Sequence, residues 1–127
     1  MKGLLFTALW PILFVKNLNA EVQFYLSLGF KLSYDNNKEL PNFKAVKYGD
    51  NIEFGLEKKN NFDIQKVKQQ LVWQIGVRSV QKIVSLCKEK HIKIIQKPKK
   101  HTYEFGALWT MAVISPNGYK IFFEGDL

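Results

Sequence analysis

The sequence predicts an α+β chain made of two copies of one β-α-β-β-β module, and three observations carry that prediction. Two helix starts can be read, at Asn17 and at Ser79, each following a strand-like run. Superposing them is a shift of 62, which also lays Val15 on Val77, Val22 on Val84, Phe30 on Ile92 and Leu32 on Ile94. After a longer loop in the second half, Ile52-Glu53-Phe54 falls on Ile121-Phe122-Phe123 at a shift of 69. Residue types agree at each position of the shift of 62, as they do when one supersecondary unit is repeated.

Taken in order, residues 8–16 read as a strand ended by Asn17, whose side-chain oxygen can accept an early backbone N–H of a helix. Leu18, Val22, Tyr25 and Leu28 recur at helical spacing, so a helix over about 18–28 is expected, with Gly29 in the left-handed position that ends it. Phe30–Tyr34 restarts extended chain, 35–42 is polar loop, and Phe43–Tyr48 and Ile52–Glu57 are two strands around Gly49-Asp50-Asn51. Module one therefore spans about 8–57. Residues 58–70 are polar and read as a linker with a short helical turn. In module two, about 71–125, Val72–Val77 is strand-like. Ser79 caps a helix whose Val80, Ile83, Val84 and Cys87 share one face, and Ile92–Ile95 is extended. The segment from Gln96 to Phe105 is expected to be a loop, the main insertion distinguishing the halves. Thr110–Ile114 and Lys120–Glu124 then form a hairpin about Pro116-Asn117-Gly118, where Pro presets φ and Asn and Gly tolerate positive φ.

A chain of 127 residues with 46% hydrophobic content can bury one compact core and is too short for two ordinary domains, so 1–127 is expected to be a single domain. One cysteine, Cys87, allows no internal disulfide and fits a reducing compartment, which makes cytoplasm the expectation. Lys2 and the apolar run from Leu4 to Val15 have the outline of a secretory signal. Leu18 is too large for the position three before a cut after Ala20, Pro11 suits a strand edge, and twelve apolar residues are too few to span a bilayer. The net charge is +8, and of 19 basic residues only Arg78 is Arg. Lys is a solvated point charge, whereas Arg makes the bidentate contacts that read phosphates and bases, so a nucleic-acid role rests on charge alone.

Ser115-Pro116-Asn117-Gly118-Tyr119, Phe14-Val15-Lys16-Asn17, Phe24-Tyr25, Leu28-Gly29-Phe30 and Phe105-Gly106 together resemble stretches of the glyoxalase, bleomycin-resistance protein and dioxygenase family, the vicinal oxygen chelate superfamily. Ser115-Pro116-Asn117-Gly118-Tyr119 and the alternating strand after it are similar to that family's last hairpin. Phe14-Val15-Lys16-Asn17, Phe24-Tyr25 and Leu28-Gly29-Phe30 are similar to its opening, and Phe105-Gly106 stands nine to ten residues before Pro116, as in bleomycin-resistance-like members. The resemblance implies paired modules curling into a half-open, barrel-like cup with the ligand inside, and a homodimer. It also implies a metal held by two first-strand residues and two strand carboxylates. Those positions fall on Trp10, Val72, Glu53 and Phe122, and of these only Glu53 can bind a metal where three or four ligands are usual. No metal and no cofactor are therefore expected.

The inward faces of such a cup would carry Trp10, Ile12 and Phe14, with Glu53 and Glu57, on one side. Gln74, Gly76, Phe122 and Glu124 lie on the other, and Tyr103 and Phe105 are expected at the rim. An aromatic wall with a few acceptors suits a partly apolar small molecule, although aromatics of this kind also simply fill interiors. His91 stands where Gly29 stands in the first half, which favours a cation near a helix end over a ligand. Cys87 lies on an apolar helical face and reads as core in preference to a nucleophile with His91. The basic run Lys88, Lys90, Lys93, Lys97, Lys99 and Lys100 reads as a solvated helix end and loop.

Three functions are weighed, the first two implied by the resemblance and the third by charge alone. The first is a metal-independent small-molecule binder that acts by sequestration, as bleomycin-resistance proteins do. The second is a metal-dependent lyase, isomerase or dioxygenase of the same superfamily, and the third is a basic nucleic-acid-associated module. The missing metal ligands weigh against an enzyme.

Overall fold

The computed structural model describes residue 3, residues 5–67 and residues 71–127. Lys2 and Leu4 of the signal-like stretch and residues 68–70 of the expected linker lie outside the described residues. The chain divides into two compact units, Met1–Phe62 and Asp63–Leu127. Among the described residues no helix is long and apolar enough to cross a membrane.

The first unit runs β1 (Ile12–Val15), α1 (Leu18–Ser27), β2 (Lys31–Tyr34), β3 (Phe43–Tyr48) and β4 (Ile52–Lys58). Its sheet has the order β1-β4-β3-β2, with β1 parallel to β4 and the other pairs antiparallel. The second unit repeats this with β5 (Trp73–Ser79), α2 (Val80–Glu89), β6 (Ile94–Tyr103), β7 (Gly106–Ile114) and β8 (Lys120–Asp126), in the order β5-β8-β7-β6. Both helices start as their sequences require. Asn17 Oδ1 accepts from the Ala20 N–H at 3.0 Å, and Ser79 Oγ accepts from the Lys82 N–H at 3.2 Å. Ser79 Oγ also donates to the Leu127 carbonyl at 2.8 Å.

Each helix lies against one face of its own sheet, and the strands alternate accordingly. In the first unit Leu13, Val15, Val46, Phe54 and Leu56 are buried with Leu18, Val22 and Tyr25 of α1. Tyr25 is wholly inside and meets Phe24, Phe30 and Phe54 with ring centroids 4.9–5.3 Å apart, the edge and tilted geometries that aromatic rings prefer. In the second unit Ile75, Met111, Val113, Ile121 and Phe123 are buried with Val80, Val84 and Cys87 of α2. Cys87 is core, as expected, and burial pushes its thiol pKa up.

Four expectations are corrected. Of the strand expected over 8–16, only Ile12–Val15 joins the ladder, because Pro11 has no N–H to donate; its carbonyl still accepts from the Gly55 N–H at 2.8 Å. Gln96–Phe105 is not a loop: β6 continues to Tyr103 and turns back at Glu104-Phe105 into β7, with Gly106 at φ 135°. In the turn after β7, the Gly118 N–H donates to the Ser115 carbonyl at 2.9 Å, and only Gly118 takes a positive φ, 94°; Asn117 does not. The repeat also has a different register in its last strand. Leu13 pairs with Leu56 as Ile75 pairs with Phe123, and Phe14 with Glu57 as Gly76 with Glu124. Equivalent positions in β4 and β8 are thus 67 apart, two fewer than motif matching gave, and the even difference keeps every residue on its face.

Candidate functional site

The face of each sheet turned away from its helix carries the residues the sequence singled out. In the first unit these are Ile12 and Phe14 on β1, Glu53 and Glu57 on β4, and Trp10 just ahead of β1. Trp10, Ile12 and Phe14 are 63%, 51% and 43% exposed. The face is partly filled by a residue the sequence reading missed. Phe43, opposite Glu57, lays its ring over Gly55, where an added Cβ would lie 2.6 Å from the ring edge. Tyr34 packs beside it at 5.8 Å between centroids. The Tyr34 hydroxyl donates to Glu39 Oε1 at 2.7 Å, a bond to the neutral phenol that raises its pKa.

The acids on this face are matched by lysines. Lys59 Nζ lies 2.9 Å from Glu57 Oε2 and 5.3 Å from the centre of the Phe14 ring, so one ammonium serves both the carboxylate and the aromatic. Glu53 is the register partner of Lys47.

In the second unit Gln74 stands beside Phe122 and Gly76 beside Glu124. The Lys120 ammonium lies 4.8 Å from the centre of the Phe122 ring. On β7, Thr110 is opposite Glu124 and Ala112 opposite Phe122. Thr110 is 8% exposed, and two β6 side chains converge on its hydroxyl: Gln96 Nε2 at 3.3 Å and His101 Nε2 at 2.9 Å. Beyond them the rings of His101, Tyr103 and Phe105 follow one another at 6.5 and 5.1 Å, the last two parallel within 5°. Tyr103 and Phe105 belong to the end of a strand and its tight turn, and the rim loop expected there does not exist.

Thr110, read as the first residue of a strand, was given no partner across the ladder, and Gln96 and His101 escaped the sequence reading because their segment was taken for a loop. As a strand its alternation would have put Tyr103 and His101 on one face.

The residues do not fit a metal. Trp10 and Phe122 have no lone pair to give, Val72 is an alkyl side chain, and Glu53 alone offers oxygen. Among the described residues no three His, Cys, Asp or Glu side chains come together. His91 holds the left-handed position after α2 at φ 58°, as Gly29 does after α1 at φ 100°. A separate concavity of about 460 Å³ lies at the start of α1, between Lys16–Asn19, Pro41, Asn42 and Lys58, and none of the expected ligand residues lines it.

No family model and no curated protein matches the chain. Solved structures do match. A glyoxalase/dioxygenase from Nostoc punctiforme superposes with a TM-score of 0.72 at 16% identity, covering 100% of this chain and 95% of that one. A glyoxalase/bleomycin resistance protein/dioxygenase from Alicyclobacillus acidocaldarius gives 0.72 at 14%, covering 95% and 92%. A bleomycin-binding protein complexed with bleomycin gives 0.68 at 16%, covering 96% and 100%. At these identities the likeness establishes the fold alone, that of the glyoxalase and bleomycin-resistance proteins, with two β-α-β-β-β modules.

Proposed function

We propose that this chain, with the fold of the glyoxalase and bleomycin-resistance proteins, is a metal-independent small-molecule binder that holds its ligand without transforming it. The observation behind the reading is the character of its ligand positions. Trp10 and Phe122 replace donors with flat polarisable surfaces, and the polar groups around them orient a ligand without polarising it as a Lewis acid would. One of the structural neighbours is a bleomycin-binding protein in complex with bleomycin. This chain is not suited to a strongly cationic ligand, since its net charge is +8, Glu57 is engaged by Lys59 and Glu53 faces Lys47. Planar, mostly neutral compounds fit better, held by the exposed strip of Trp10, Ile12 and Phe14 on the first module; on the second module Phe122, Gln74 and Glu124 form a set of like character. On this reading the protein acts as a homodimer in the cytoplasm.

A thermal-shift and tryptophan-fluorescence screen of planar compounds tests this. Ligands are expected to raise the melting temperature, and Trp10→Ala is expected to weaken binding with the fold intact. Elemental analysis finding one tightly held ion per chain, with glyoxalase or dioxygenase activity on adding that ion, would overturn it.

A further inference from the structure

On the second sheet, the hydroxyl of Thr110 is held between two β6 side chains. A hydroxyl has two lone pairs and one hydrogen. Gln96 Nε2 can only donate, and it takes one lone pair at 3.3 Å. When His101 Nε2 donates from 2.9 Å it takes the other, and the Thr110 hydrogen is left to point at whatever lies over the sheet. The neighbourhood is rich in donors. The remaining Gln96 N–H and the Gln74 amide share the face, Lys99 is opposite Thr110 on β6, and the Lys120 ammonium covers Phe122. The one carboxylate, Glu124, stands opposite Thr110 on β8. Beside the cluster the rings of His101 and Tyr103 follow one another at 6.5 Å with 26° between their planes, and Tyr103 is 46% exposed.

We infer that the Thr110–His101–Gln96 cluster is a subsite for an aromatic ring bearing an acceptor oxygen, a carbonyl or a carboxylate. The oxygen accepts from the Thr110 hydroxyl and the Gln96 amide, and the ring lies along His101 and Tyr103. This deepens the binding function proposed above and rests on it.

Titration of the full chain with benzoate, benzamide and benzylamine, followed by amide chemical shifts, tests the assignment. Benzoate and benzamide are expected to bind and to move the Gln96, His101 and Thr110 signals, and benzylamine is not. Thr110→Val, which keeps the volume, is expected to weaken benzamide binding about tenfold, the cost of one hydrogen bond, and Thr110→Ser to retain it. Tyr103→Leu is expected to weaken both ligands without changing the preference between them. Equal binding of benzylamine, no binding of benzamide to the unaltered chain, or indifference of a Thr110→Val variant with an unchanged melting temperature would each overturn the assignment. A planar ligand that depends on Trp10 and ignores Thr110 would overturn it too, while leaving the broader binding function in place.

Discussion

At Gly125 there is no room for a methyl group: a Cβ would lie 1.9 Å from the Val77 carbonyl oxygen, which belongs to the neighbouring strand β5. Gly125→Ala must therefore push β5 and β8 apart. It is expected to cost about 2–3 kcal/mol, the upper part of the range for overpacking, measured by urea denaturation. Gly76, one register position away on the same strand pair, has nothing within 4 Å of its would-be Cβ, so Gly76→Ala is the neutral control. His91 offers the opposite case. Its φ of 58° suits glycine, and His91→Gly is expected to raise stability by about 1 kcal/mol, the strain of a left-handed non-glycine residue. The sequence made His91 legible, since it stands where Gly29 does. Nothing in it marks Gly125 as a tight crossing, because the clash is with a carbonyl 48 residues away in the chain.

Among the elements, β6 is where composition misled. Lys97, Pro98, Lys99 and Lys100 are poor strand formers, yet they lie on a ten-residue strand at the open edge of its sheet. Such residues are what an edge needs: charge and a missing N–H discourage a second chain from pairing there. This accounts for the three lysines of the basic run that lie on β6, Lys97, Lys99 and Lys100. Replacing Lys97, Lys99 and Lys100 by Thr is expected to leave the fold in place and produce concentration-dependent association, visible by light scattering. The helices were legible because their caps and apolar spacing are local. β6 was not, because its strand character comes from pairing with β7 over most of its length.

For the whole molecule, the repeat was the strongest signal in the sequence, and it holds in both topology and face. Its last-strand offset was read two residues too long because motif matching aligned similar side chains, whereas the parallel ladders align backbones. The strip of Trp10, Ile12 and Phe14 is expected to be shared between the ligand and the edge of a second copy of the chain, since monomers seldom leave contiguous apolar surface in water. Light scattering at micromolar concentration should give twice 14.8 kDa, and a clean monomer would contradict the pairing. The parallel ladders also bear on how the protein is made. In each unit the first strand is zipped to the last: Ile12 waits for Gly55, and Trp73 waits for Ile121. Neither sheet can close until its final strand has left the ribosome. During synthesis the first unit can complete itself once Lys58 is free, whereas β5 emerges with no neighbouring strand until β8 follows. A nascent chain stalled between β7 and β8 should then be folded in its first unit and protease-sensitive throughout its second.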